Sequence, residues 1–486
     1  MQDAILILDH DVALAGLIAR TLRSQQVYCE PVPFGIRLAD AMARSPRGLI
    51  IAAAQGTAIS LDGFDSALLL AGLPVLALGG AAAALCEHMG GSAQREQYEH
   101  DNITLELMDI PLFTGIGSGE RVLHGLFGLT LPQGPACIST ATQRCIGFMD
   151  EARSLYAVQY PIERNDPDAL QLLQNFAVAV CGMEPLWTPE YIIQQAVQNL
   201  RDAAGEGRVL VAVSGGVDSA VCAKLAHMAV GDRLMCVFID TGLFRADEPE
   251  TVIQTYMETL GLVVAYADAG ESFRKALRGV RAPQDRERIV STLLGQVLYK
   301  QLRYDSGARA LVLGTNLNDA LYGHYSPLEA PPAGDDGQAV RIAEPLAGLF
   351  KDEVRRLARA LALPATLAER QPFPASGLAL RIMGEVTDER LAMLRQADAF
   401  FSEEVRATGQ ERRLWQYYAS LCENPDQSGD YAVILRACQA CSGEACASRL
   451  PYDLLERVTA RILADLPQIT RVVYDLTPSL QYALVE

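Results

Sequence analysis

Positive charge is what this chain is short of. Lys and Arg number 41 against 59 Asp and Glu, a formal net charge of −18. That balance argues against any broad nucleic-acid surface, because neutralising phosphates takes clustered Lys and Arg. The ligand is therefore expected to be small. No apolar run reaches the ~18 residues a membrane span needs, and Met1-Gln2-Asp3-Ala4 lacks the basic opening of a signal peptide. No membrane contact is expected, and a cytoplasmic location is. Internal repeats are absent as well. The 11 cysteines are an odd number scattered through a large acidic chain, which fits reduced thiols better than a disulfide framework.

What the chain has in quantity is apolar sequence, 50% of its 486 residues, enough for a core in each of about three domains at roughly 150 residues apiece. Apolar runs of four to six residues alternate with amphipathic stretches, the rhythm of a parallel α/β sheet. Ile5 to Leu8, Leu49 to Ala53 and Val75 to Leu78 read as buried strands of a first unit, with Ala13 to Gln25 as a helix between them. A boundary falls at Trp187-Thr188-Pro189, where Thr188 can cap a helix that has Pro189 at its first position. A second α/β unit follows, with strands at Val209 to Val213, Met235 to Asp240 and Ala310 to Gly314. Pro327 to Gln338, with three prolines, two glycines and two aspartates, reads as a surface loop. Pro372-Phe373-Pro374 breaks the chain again, before a small α+β module with helices around Glu385 to Ala407 and Tyr452 to Asp465. The expected domains are 1–186, 187–372 and 373–486.

The chemistry is concentrated where the apolar run Val209 to Val213 meets Ser214-Gly215-Gly216-Val217-Asp218-Ser219, with a helix-like stretch from Ala220 onward. A strand emptying through two glycines onto a helix start gathers free backbone N–H groups and the positive end of the dipole at one spot. Neither glycine carries a Cβ, so an anion can approach the backbone. Ser214 and Ser219 add hydroxyls, and Asp218 can hold a metal bound to phosphates. The Walker pattern G-x-x-x-x-G-K-[ST] is absent. S-G-G-x-D-S instead resembles the pyrophosphate loop of enzymes that split ATP into AMP and pyrophosphate.

Five blocks in order extend the likeness: GRVLVAVSGGVDSAV, CVFIDTGLFRADE, EPLAGLFKDEVRRLA, QPFPASGLALRIMGEV, and LPYDLLERVTARI followed by RVVYD. From Trp187 to the end the sequence resembles GMP synthase. The first unit is similar to that family's class I glutamine amidotransferase domain, through ILILD (Ile5 to Asp9), VYCEPVPF (Val27 to Phe34), and GLPVLAL with a helix ending in Gly90-Gly91. The resemblance implies an α/β fold with an amidotransferase-like domain, a pyrophosphate-loop domain of the adenine-nucleotide α-hydrolase type, and a C-terminal α+β dimerisation domain. It implies ATP and Mg²⁺, adenylation of a carbonyl oxygen of xanthosine monophosphate, attack by ammonia, and a homodimer. By the same resemblance Ser214, Gly215, Gly216, Val217, Asp218, Ser219 and Ala220 cradle the pyrophosphate. Lys351 stabilises charge on the transferring phosphoryl group. Arg381 offers a bidentate fork to a substrate phosphate, and Asp319 is the aspartate retained at the end of the strand Ala310 to Gly314.

Several positions depart from the family. A class I glutaminase needs a Cys nucleophile on a strained strand-to-helix turn, a His base and a Glu that orients it. Here Gly79 stands where the Cys belongs, and Pro161 stands where the His belongs, within Tyr156-Ala157-Val158-Gln159-Tyr160-Pro161-Ile162-Glu163. Glu163 is kept, and the Gly-Gly pair of the oxyanion hole reads Ala53-Ala54. The expectation is a glutaminase fold without glutaminase chemistry. Cys86, seven residues past Gly79, lies about 10 Å away along a helix and reads as a core thiol. The nitrogen source is then free ammonia or a donor delivered by another protein. The family's C-terminal K-P-P-x-T-I-E-W-E is replaced by Asp475 to Glu486, with only the last Glu matching, and its lid segment by the Pro-rich stretch after His324. Recognition of the acceptor is thus open where ATP handling is not.

Cys438, Cys441 and Cys446, with Cys422 upstream, have a spacing permissive for zinc or an iron–sulfur cluster. Because an adenylated acceptor can be attacked by sulfur as well as nitrogen, an ATP-dependent sulfur transferase fed by a sulfur-donor protein is an alternative. A nucleotide-binding paralogue without catalysis is another.

Overall fold

Buried strands that are apolar along their whole length are the signature of parallel pairing covered on both faces, and such strands form the centre of the sheet in each half of the chain. The structure, a computed structural model, describes residues 3–477 except 96–101, 123–124, 142, 164–165, 305–306, 318, 320–339, 369, 372, 375, 425–428 and 442–443. The Pro-rich loop at 327–338 and the tail from 478 onward therefore lie outside the described residues. Among the described residues the chain divides into two compact units, Met1–Tyr191 and Ile192–Glu486. No helix among them is long and apolar enough to cross a membrane.

In the first unit, nine described strands run in the order Cys29–Pro33, Ala4–Asp9, Pro46–Ala53, Val75–Gly79, Leu155–Val158, Arg144–Asp150, Ala136–Ala141, Asn102–Leu107 and Gly119–Val122. The first five are parallel and the rest antiparallel. The helix Val12–Ser24 starts on Asp11, whose Oδ1 accepts from the Leu14 N–H at 3.1 Å. It buries Ala15, Ile18, Ala19 and Leu22, a spacing of three and four that lays one stripe on the sheet. Arg23 closes that helix from inside the protein: it is 2% exposed, and its Nε and Nη2 both donate to Cys29 O.

In the second unit five parallel strands run in the order Val264–Asp268, Leu234–Asp240, Arg208–Val213, Ala308–Val312 and Arg341–Ala343. Strand order reverses direction at Arg208–Val213, and the crevice beyond the carboxyl ends at such a switch point is where open α/β sheets bind ligands. The helix Val217–Val230 leaves that strand and is buried on nearly all sides, from Val217 and Ala220 through Val230. Thr188 Oγ1 accepts from Tyr191 N–H at 3.3 Å where the helix Pro189–Ala204 begins. A further sheet sets Gln416–Glu423 and Glu444–Ala447 antiparallel to Tyr431–Cys441, with Ile469–Tyr474 parallel to it. A hydrophobic core on one face of the parallel sheet extends from Leu210 and Leu311 to Phe401, Val433 and Ile462 of the C-terminal portion.

A candidate pyrophosphate loop and a closed elbow

Gly215 sits at φ +78°, where its missing Cβ would lie 2.3 Å from Arg370 Nη1 and 2.4 Å from Val252. Only glycine fits there. Gly216, in extended conformation, is the N-cap of the helix Val217–Val230. The loop is knotted by its own serines. Ser214 N–H donates to Ser219 Oγ at 3.2 Å, the two hydroxyls are 3.2 Å apart, and Ser219 Oγ donates to Gly216 O at 3.1 Å. Ser219 is 6% exposed, and Val217 and Ala220 are buried beneath it, so these three shape the loop from inside. Tyr256 stands 3.3 Å behind Ser219 Oγ, and its burial pushes the phenol well above its ordinary range, so it stays a neutral partner. Gly314, at the end of the neighbouring strand, lets the backbone close in: a Cβ there would be 3.2 Å from Asp218 Cβ.

Asp218 is the chemical centre of the loop. Its Oδ2 is 2.7 Å from Lys351 Nζ, with both side chains under one-fifth exposed. Its Oδ1 is buried and has no hydrogen-bond partner among the described residues. A buried acceptor without a donor is costly, and here it lies at a glycine-rich helix start. That orphaned oxygen beside a lysine fits a divalent cation carried in with phosphates. Lys351, 133 residues further on, begins its own helix, Lys351–Ala360, where Glu353 Oε2 accepts from Phe350 N–H at 2.8 Å. Ser214, Gly216, Val217, Asp218 and Lys351 together line a cavity of 260 Å³ whose far wall is apolar, formed by Ile239, Phe244, Leu294 and Leu298. A charged mouth over an apolar pocket suits a nucleotide.

Two residues that sequence reasoning gave no role hold the loop in place. Arg370 Nη1 donates to Gly215 O at 2.6 Å, and its other nitrogen pairs with Glu248, which is 8% exposed. Burial, then the neighbouring Arg245 charge, pushes the Arg370 guanidinium down to about 10, still cationic at neutral pH. The only sequence signal was position: Glu248 ends the CVFIDTGLFRADE block, and Arg370 immediately precedes QPFPASGL.

The other residues singled out from sequence lie elsewhere. Asp319 caps a local turn: its Oδ2 accepts from Asn316 N–H at 2.9 Å, and its own N–H donates to Asn316 Oδ1 at 3.2 Å. Arg381 is 5% exposed, with Nη1 3.5 Å from Asp398 Oδ1, and it lies over the rings of Phe373 and Tyr418. Neither lines the 260 Å³ cavity.

The cysteine cluster does not assemble, and the zinc or iron–sulfur reading is corrected accordingly. Cys438 pairs with Ala447 across the sheet, whereas Cys446 pairs with Gln439. One step of register sends their side chains to opposite faces. Cys422 pairs with Ala432, six positions along the strand from Cys438, or about 20 Å. The Cys441 side chain lies outside the described residues. Among the described residues no three His, Cys, Asp or Glu side chains converge as a metal would require.

In the first unit the strand Val75–Gly79 turns into the helix Gly80–His88 through Gly79 at φ +61°, the backbone of a nucleophile elbow. The space a nucleophile would use is taken by backbone: a Cβ on Gly79 would be 2.2 Å from Ala53 O, and one on Gly80 would be 1.8 Å from Thr57 O. Gln159 is buried in structural bonds, donating to Phe127 O and Ile146 O and accepting from Phe127 N–H. Tyr160 OH, next in sequence, donates to Asp168 at 3.2 Å, and Asp168 is paired to Arg121. Pro161 carries no titratable group and Glu163 is exposed. Cys86 is fully buried, and burial, with a contribution from Glu87, pushes its thiol above the ordinary range.

Comparison with known proteins places these features. The NAD synthase family model matches residues 190–395, and the GMP synthase C-terminal domain model matches residues 403–481. A glutamine-hydrolyzing GMP synthase of Symbiobacterium thermophilum is 34% identical over 98% of this chain and 97% of its own length. One from Parafrankia sp. is 35% identical over 98% and 95%. Among solved structures, an NH3-dependent NAD synthetase from Campylobacter jejuni covers 46% of this chain and 85% of its own at 16% identity, with a TM-score of 0.32.

Proposed function

The chain belongs to the GMP synthase family, and from that premise we propose that its second unit is an AMP-forming ligase that has lost its own glutaminase. The carbonyl oxygen of xanthosine monophosphate, or of a related acceptor, attacks the α-phosphorus of ATP. The bond from that phosphorus to the bridging oxygen breaks, and pyrophosphate leaves. Ammonia then adds to the activated carbon, and the carbon–oxygen bond breaks to release AMP.

The observation that carries this reading is Asp218, with one carboxylate oxygen on Lys351 and the other buried and unsatisfied above the glycine turn. Asp218 would hold Mg²⁺, whose contribution when bound is to neutralise the phosphate charge. The backbone of Gly215, Gly216 and Val217 would receive the pyrophosphate, with Ser214 as a hydroxyl donor. Lys351 supplies positive charge where the leaving group forms. The adenosine would occupy the apolar part of the 260 Å³ cavity, against Ile239 and Phe244. Arg381 and Asp319 act on the acceptor side only if they rearrange from the bonds described above.

Loss of glutaminase activity is supported by Gly79 and Pro161 in place of nucleophile and base, and by Ala53 O lying where the thiol would emerge. The nitrogen donor is then free ammonia or a partner protein, and the C-terminal portion is proposed to form a homodimer as in the family.

The test is pyrophosphate release by the full chain with ATP and Mg²⁺, against xanthosine monophosphate and a panel of purine nucleotides, with ammonium or glutamine as donor. Acceptor-dependent release with ammonium, and none with glutamine, is expected. Equal rates with glutamine would overturn the lost glutaminase, and no acceptor-dependent release from any nucleotide would overturn the ligase.

A further inference from the structure

The helix Glu248–Gln254 continues directly into the π-helical turn Thr255–Thr259. Glu248, Val252 and Tyr256 recur every fourth residue along it and are 8%, 3% and 0% exposed. That spacing puts them on one face, and the face lies against the pyrophosphate loop. Glu248 pairs with Arg370, a Cβ on Gly215 would meet Val252, and Tyr256 OH stands 3.3 Å from Ser219 Oγ. Tyr256 does not line the 260 Å³ cavity.

The hydrogen bonds at Ser219 Oγ can be counted, because a hydroxyl has one proton to give and two lone pairs to receive. Its proton goes back along the chain to Gly216 O at 3.1 Å, an oxygen that only accepts. One lone pair takes the Ser214 N–H at 3.2 Å. The other is contested by Ser214 Oγ at 3.2 Å and Tyr256 OH at 3.3 Å. The two contestants differ in their alternatives. Ser214 is exposed at the mouth of the cavity, where water or a ligand can take its proton. Tyr256 is fully buried, its phenol has Ser219 as its one hydrogen-bond partner among the described residues, and burial holds its proton on. A buried donor left unpaired costs the whole of its desolvation, whereas an exposed one loses almost nothing. The lone pair therefore goes to Tyr256. Ser214 Oγ meanwhile accepts from Gly216 N–H at 3.4 Å, which uses one of its own lone pairs and leaves its proton uncommitted.

We propose that Tyr256 is a positioning residue: by filling the last lone pair of Ser219 Oγ it denies that acceptor to Ser214, whose hydroxyl proton is turned outward to donate to a phosphate oxygen. Tyr256 itself touches neither ATP nor the reacting atoms. This role presupposes the pyrophosphate loop proposed above and adds what sets the direction of its exposed hydroxyl. Without the phenol, Ser214 would close onto Ser219 and face the ligand with a lone pair, which repels an oxyanion.

The experiment is a double-mutant cycle on the full chain, with magnesium pyrophosphate titrated calorimetrically into the parent, Tyr256→Phe, Ser214→Ala and the double variant. Tyr256→Phe should weaken binding about fivefold, the worth of the one neutral hydrogen bond that Ser214 must then give up to turn outward. Ser214→Ala should weaken it about tenfold or more, as befits a lost hydrogen bond to a charged group. In the Ser214→Ala background, Tyr256→Phe should change the affinity less than about twofold, because no hydroxyl is left to divert. A phenol that only packs the loop would act by the same factor in both backgrounds. Equal factors would overturn the proposal, as would full affinity in Tyr256→Phe. The thermal midpoint of Tyr256→Phe should stay near the parent's, since Ser214 takes up the vacated lone pair, and a large fall would assign the phenol to stability instead. A parent chain that binds no pyrophosphate would overturn the loop reading and this role with it. Binding is read without turnover, so a failure of the ligase reading in the release assay leaves the outcome of the cycle standing.

Discussion

At Gly215 and at Gly79 a buried parallel strand turns into a helix through a glycine of positive φ, +78° and +61°. The neighbourhoods then part. Beyond Gly215 the nearest atoms are side chains, Arg370 and Val252, and the turn opens on a 260 Å³ cavity with an unsatisfied carboxylate oxygen at its edge. Beyond Gly79 the nearest atoms are backbone, Ala53 O and then Ala54 and Gln55. A side chain can move to admit a ligand, but a strand-end carbonyl held in register with Gly79 cannot move without unpairing the sheet. A strained turn is therefore only a scaffold for chemistry. Such a turn can serve chemistry only where the facing element leaves unsatisfied groups and room, as at Gly215 and not at Gly79.

The sharpest way to break the open turn is to remove its prop. Arg370→Ala would strip Gly215 O of its donor and leave Glu248, 8% exposed, without its partner. Breaking a buried pair from one side costs about 3–5 kcal/mol, so the urea midpoint of the second unit should fall steeply. Arg370→Lys should recover only part of it, because a lysine cannot hold the carbonyl and the carboxylate together. A midpoint within error of the parent would show that the loop does not depend on this prop.

Next in size is the centre of the loop. Asp218→Asn keeps the volume but removes the charge that faces Lys351 at 2.7 Å. Pyrophosphate release should drop about 10²–10³-fold, the usual cost of losing one preorganised electrostatic group, while the thermal midpoint changes little. Retention of full release in this variant would show that Asp218 does not carry the cleavage.

Much of this contrast was legible in the sequence, for local reasons. Continuous apolar runs gave the parallel strands, and Gly-Gly before a helix gave the loop, because both signals lie within a few residues of one another. What stayed hidden depends on distant neighbours. Arg370 and Glu248 are 122 positions apart, and no periodicity joins them. That Gly79 lacks a thiol could be read directly, but that Ala53 and Thr57 have closed over it could not. Arg381, read as a phosphate ligand from its block, lies in the structure against Asp398 and two aromatic rings, a setting made by residues outside that block.

Restoring the missing nucleophile tests the closed turn. Gly79→Cys should yield no glutamate from glutamine, since the new Cβ would stand 2.2 Å from Ala53 O. It should also destabilise the first unit by about 1–3 kcal/mol, the range for overpacking a filled site, on top of the penalty for a side chain at positive φ. Thermal unfolding and a glutamate assay check both halves. Glutamate production in this variant would mean that the elbow opens more readily than its sheet pairing allows.

The smallest effect is expected where spacing alone suggested a site. Cys438, Cys441 and Cys446 sit close in sequence, yet pairing Cys438 with Ala447 and Gln439 with Cys446 turns the first and last thiols to opposite faces of the strand pair. A shared ion would need Glu444–Ala447 to slip by one residue against Tyr431–Cys441, which would turn that short strand's side chains to the other face. Cys446→Ser, at a half-buried position, should therefore leave pyrophosphate release unchanged and stability within about 0.5 kcal/mol. Elemental analysis of the purified chain should find no stoichiometric zinc or iron. One metal ion per chain, lost in Cys446→Ser together with activity, would reverse this reading, because it would require thiolates converging on a sheet whose pairing holds them apart.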